Sequence, residues 1–155
     1  MHLRGEFHRA DGLVIPNNIT TFGARALLAM GFRGEACTLS VGLCSGVYDP
    51  DLVIGDLVEP TTTNGYARIA LARNATDWPT EDSLNGEEYA ESKNVFWTAS
   101  GGNFSAPITR LFLFMVSSDF TGGIFGLSAA LPEPLLITPT TPLGERTFRY
   151  RVYLR

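Results

Sequence analysis

Along this chain, apolar and polar residues alternate in short runs far more often than they recur at helical spacing. The clearest run follows Asn64-Gly65, a dipeptide whose members tolerate positive φ and so mark a turn. After it, Ala67, Ile69 and Leu71 point one way, and Tyr66, Arg68, Ala70 and Ala72 the other. That period predicts a strand with one face on a core and one face wet. Similar alternation predicts strands over 3–9, 37–44, 95–100 and 147–154. In the last, Phe148, Tyr150, Val152 and Leu154 face inward, and Arg149, Arg151 and Tyr153 outward. Segment 108–116 differs, because Leu111, Leu113 and Met115 alternate with Phe112, Phe114 and Val116 and both faces are apolar. A central strand is expected there, covered on both sides by another sheet, the helix or a partner subunit. In 124–131, Phe125, Leu127, Ala129 and Leu131 are expected on one face.

One helix is predicted, over 17–31. Asn18, Thr20 or Thr21 can cap its first turn, and Gly31 can cap its end. Ile19, Phe22, Ala26 and Met30, with Leu27 alongside, form a stripe at helical spacing that should lie on a sheet. Gly23 weakens this helix by about 1 kcal/mol relative to Ala. Pro16 is expected to end the extended stretch before it. Two segments lack periodicity. Residues 46–59 read as an acidic, solvated loop; Asp51, Asp56 and Glu59 do not follow the order of a calcium loop. Residues 74–93 form a long polar insertion carrying Trp78, Glu81, Asp82, Glu87, Glu88 and Glu91. Paired carboxylates serve glycosidases, but no array of sugar-binding aromatics surrounds these. A contact arm toward a neighbouring subunit is the expectation. Pro132, Pro134, Pro139 and Pro142 place the following stretch at a sheet edge or in a loop.

These elements predict a mainly-β chain: an antiparallel β-sandwich or jelly roll with one short inserted helix near 18–30. The 155 residues suit a single domain over 1–155, with the polar insertion near 74–93. Composition narrows the picture. With 45% hydrophobic and 18% charged residues the chain can build a core. A net charge of −4 argues against nucleic-acid binding. Lys93 is the single lysine; the preference for Arg fits either carboxylate pairing at interfaces or codon bias in a GC-rich genome. Cys37 and Cys44 lie seven residues apart in one predicted strand, so they face opposite sides and cannot bond to each other. They read as buried, reduced thiols, consistent with assembly in a reducing cytoplasm. Neither a secretory signal nor a membrane span is expected. The histidines, His2 and His8, do not form a helical metal pair, and no catalytic or nucleotide motif occurs. No enzyme, cofactor or metal function is expected.

A family resemblance adds a setting. The run D-P-D-L-V-I-G-D-L-V-E-P-T-T-T-N-G-Y-A-R-I-A-L over 49–71 resembles a pattern in small tailed-bacteriophage virion proteins of the β-sandwich type. The likeness continues through Asp77-Trp78, the S-K-N-V-F-W-T-A-S-G-G-N-F strand at 92–104 and the apolar run at 108–116. It ends with G-G-I-F-G-L-S-A-A-L-P at 122–132 and a final strand. It covers about two thirds of the chain and rests on order and spacing; Cys37–Cys44 and the early helix depart from it. The resemblance implies a structural virion protein, assembled in the host cytoplasm. The leading role is a capsid cement or decoration protein that binds the major capsid protein and stabilises the head exterior. A tail-fibre or baseplate component is the alternative in the same particle. A carbohydrate-binding module, using Trp78 and Tyr89, is the alternative outside it. A homo-oligomer, trimer or dimer, is expected. Its candidate subunit contacts are Trp78, Glu87, Glu88, Arg149 and Arg151, with the acidic insertion meeting a neighbour's Arg149 and Arg151.

Overall fold

The computed structural model describes residues 3–105, 107–117 and 122–155. The strands are β1 (Leu3–Arg9), β2 (Val14–Ile19), β3 (Cys37–Cys44), β4 (Ile69–Leu71) and β5 (Thr80–Leu84). They continue with β6 (Glu87–Glu91), β7 (Val95–Phe96), β8 (Arg110–Ser117), β9 (Gly123–Ser128) and β10 (Thr147–Leu154). One α-helix is described, α1 (Thr21–Arg33), between β2 and β3 in the chain. The strands join in the order β4-β3-β8-β9-β2-β1-β10-β6-β5, with β7 pairing the start of β10. Every ladder is antiparallel. The expectation of a mainly-β antiparallel fold with one inserted helix holds. The ladders draw one curled sheet; they do not establish a two-sheet jelly roll.

The main core lies on the inner face of the curl, around Phe7, Val41, Leu43, Leu71, Leu111, Leu113, Met115, Phe148 and Tyr150. A smaller core lies on the other face, where Phe112, Ile124, Leu127 and Cys44 meet Leu52 and Leu57. This second core explains the two apolar faces of β8. Residues 46–59 are a largely exposed loop, as expected, but one that also covers this face: Leu52 and Leu57 are buried, and the Tyr48 hydroxyl donates to the Ile19 carbonyl at 3.2 Å. A fully buried Leu stabilises by about 1.5–3 kcal/mol, enough to fold an acidic loop onto the sheet. A partner subunit is therefore not needed to cover β8.

The helix begins later than expected because 17–19 extend β2. Asn17 and Asn18 pair with Ser128 and Leu127 on β9. Pro16 does not end the strand: it pairs with Glu6, and its carbonyl accepts from the Ala129 N–H at 2.7 Å, just past the end of β9. Thr20 is the cap, its hydroxyl accepting from the Gly23 N–H at 3.0 Å. The helix runs on through Gly31 to Gly34, the left-handed residue at φ 66°. It is seated on a β-bulge. On β9, Ile124 faces Phe114 and Gly126 faces Leu113, which leaves Phe125 as the extra residue. The bulge corrects the expected face-sharing: Phe125 joins the main core, and Leu127 the outer one. The freed carbonyls dock the helix start, with Thr20 N–H donating to Phe125 O at 3.1 Å and its hydroxyl to Ile124 O.

The strand after Asn64-Gly65 is shorter than its alternation suggests. Asn64 and Gly65 do adopt positive φ, but pairing starts only at Ile69, and Tyr66 turns into the core. Val95, Trp97 and Ala99 are buried and Phe96 and Thr98 exposed, as expected, although the ladder covers only Val95–Phe96. Cys37 and Cys44 are both buried, on opposite faces of β3, and form no disulfide. Among the described residues, no helix is long and apolar enough to cross a membrane.

Candidate contact groove

The polar insertion is a β-hairpin. Asn85 and Gly86, at φ 54° and 78°, form a two-residue turn with both central residues left-handed. This turn suits the twist of two antiparallel strands. β5 pairs with β6 over its length, and β6 pairs with Arg151–Leu154 of β10, so the hairpin extends the sheet edge. Its base is closed by Asp77, which accepts from the Ala72 N–H at 2.6 Å and from Lys93 Nζ at 2.5 Å. Lys93, then the Ala72 N–H, hold the Asp77 carboxyl below its usual range. The sequence signal for this hairpin was Asn85-Gly86, hidden because the strands around it are polar on both sides.

Because the hairpin continues the curl, it faces α1 across an open groove of about 910 Å³. α1 forms one wall with Ala24, Leu28 and Phe32; β5 and β6 form the other with Glu81 and Glu88. Val152 and Leu154 of β10 lie on the floor between them. A second open space of about 760 Å³ shares Leu27, Glu81, Ala90 and Val152 with the first and continues the groove toward Trp78, Met30 and Tyr150. Phe32 is 86% exposed and Leu28 48%. Neither had been singled out from the sequence, although α1 carries apolar residues on all sides, T-F-G-A-R-A-L-L-A-M-G-F-R. A helix apolar all round is normally buried all round.

The outer face of the same strands is a closed polar lattice. Arg149 Nη1 donates to Glu91 Oε1 at 2.9 Å, and Arg151 donates to Glu91 Oε2 through Nε at 2.8 Å and Nη2 at 2.5 Å. Arg4 pairs with Glu87 at 2.6 Å and with Glu6, and its guanidinium lies 3.7 Å over the Tyr153 ring. Arg151 lies 4.3 Å over the Tyr89 ring. Glu6 also accepts from the Tyr153 hydroxyl at 3.0 Å and pairs with His8 at 2.9 Å. The pairing of insertion carboxylates with Arg149 and Arg151, expected between subunits, is thus found within one chain. The candidate contacts divide. Trp78, half-buried with its ring edge-on to Tyr150, and exposed Glu88 line the groove. Glu87, Arg149 and Arg151 belong to the opposite face and are tied internally. His2 lies outside the described residues.

Of the acidic residues of 46–59, Asp49, Asp56 and Glu59 have structural partners. Glu59 is gripped by Arg68 at 2.6 Å and accepts from the Tyr66 hydroxyl at 2.7 Å, and Asp56 accepts from the Val53 N–H at 3.0 Å. Among the described residues, no group of three His, Cys, Asp or Glu side chains is placed to hold a metal ion. Comparison of the chain with family models, curated proteins and solved structures finds no match.

Proposed function

We propose that the chain is a structural protein of a tailed-phage particle, acting as a capsid cement protein that binds the major capsid protein from outside and stabilises the head. The observation that carries the reading is the groove: an open concave surface of about 910 Å³ lined mainly by apolar side chains, the chemistry of protein association. The carboxylates Glu6, Glu59, Asp77 and Glu91 are each tied to an Arg or Lys of the same chain, a structural use. The resemblance of 49–71 and the segments after it supplies the virion setting. Two tests apply. Purified protein should co-sediment with empty heads, and imaged particles should carry copies over the whole shell. Copies at one vertex alone would favour a tail-fibre or baseplate role. Failure to associate with any part of the particle would end the virion reading.

A further inference from the structure

We infer that the groove between α1 and the β5–β6 hairpin receives α1 of a second copy of this chain, in a two-fold contact. Three observations carry this. First, α1 packs one face on β9 through Gly23, Ala26 and Ala29, while Ala24, Leu28 and Phe32, spaced four apart, lie exposed on another. That stripe has the spacing with which one helix meets another. Second, charge is segregated across the groove. α1 carries Arg25 and Arg33 and no acidic residue, whereas the hairpin wall carries Glu81 and Glu88 on the groove face. Arg25, Glu81 and Glu88 have no ion pair among the described residues. The groove therefore suits an occupant with protruding apolar side chains flanked by arginine, and α1 is such a segment. One patch holds both the inserting element and its receptor, which is the condition for an isologous contact. Third, Glu81 and Asp82 lie on β5, the edge of the sheet, where charge opposes strand-to-strand addition. A partner is thereby directed to the groove face rather than to the edge.

The contact uses the groove that also carries the cement reading, and the two are separated by measurement: self-association in free solution tests the contact, and association with heads tests the cement role. Light scattering on the purified full chain should give twice the 16.9 kDa chain mass. Phe32→Asp should halve it with an unchanged circular-dichroism spectrum, because Phe32 contributes little to the fold of one chain at 86% exposure. Arg25→Glu and the double variant Glu81→Arg/Glu88→Arg should each be monomeric alone. Mixed, they should form dimers, since both contacts of the mixed pair then join opposite charges. A wild-type monomer, or a Phe32→Asp protein that stays dimeric, would overturn the inference. So would a wild-type monomer that associates only with empty heads and loses this with Phe32→Asp, which would assign the groove to a capsid protein. A wild-type dimer that ignores heads would leave the inference intact and remove the cement role.

Discussion

Gly23 of α1 lies directly over the Phe125 carbonyl oxygen, so close that a Cβ on Gly23 would overlap it. Phe125 is the bulged residue of β9, and its carbonyl also holds the Thr20 N–H. Helix entry, bulge and glycine form one joint.

That joint sets two opposing effects for Gly23→Ala. Helix propensity favours Ala by about 1 kcal/mol. Overpacking costs about 1–3 kcal/mol, and a backbone oxygen cannot rotate away as a side chain can. Gly23→Ala should therefore lower the urea midpoint. Gly31→Ala, with nothing near its Cβ, should raise it. Equal gains from both would mean the helix lifts freely from β9.

Tyr66 finishes the edge of the sheet where β4 runs out. Its hydroxyl accepts from the Leu43 N–H at 3.0 Å and donates to Glu59 at 2.7 Å. Tyr66→Phe leaves a buried N–H unpaired and should cost about 1–3 kcal/mol. Amide exchange at Leu43 should accelerate more than at Val41, which faces Ile69 in the ladder. An unchanged unfolding midpoint would show that water replaces the hydroxyl without loss.

Glu6 should make part of the stability depend on acid. Burial pushes its carboxyl up, but hydrogen bonds from Tyr153 and His8 and the Arg4 charge outweigh this and hold it below its ordinary 4.5. A carboxyl with a lower pKa folded than unfolded binds fewer protons in the folded state, so stability rises with pH across that interval. The contribution is complete above the ordinary value and lost as pH falls through the folded-state value. Glu6→Gln should cost about 1–2 kcal/mol at neutral pH and converge with wild type in strongly acid solution. A difference independent of pH would refute this assignment.

Cys44 should resist thiol reagents in the folded protein. Burial, with the Glu59 charge second, pushes its thiol up to about 12, so almost no nucleophilic thiolate forms at neutral pH. Cys37 is 7% exposed. Both should label only in denaturant, with no bond between them. Rapid native labelling of Cys44 would mean that 46–59 opens from the sheet.

Sequence alone determined β1, β3 and β10 to their ends, because each carries a period-two pattern from first residue to last. For the same reason it placed Cys37 and Cys44 on opposite faces, and Thr20 among the caps of α1. Pattern shows which face of an element avoids water; it does not show what covers that face. Tertiary structure alone decided that Leu52 and Leu57 cover the second face of β8, since a loop's landing place depends on strands distant in sequence. It also brought Glu91 to Arg149 and Arg151, through the register of β6 on β10. The groove was least legible. Leu28 and Phe32 read as ordinary helix residues until the hairpin, some fifty residues later in the chain, curls round to face them across an open, apolar space.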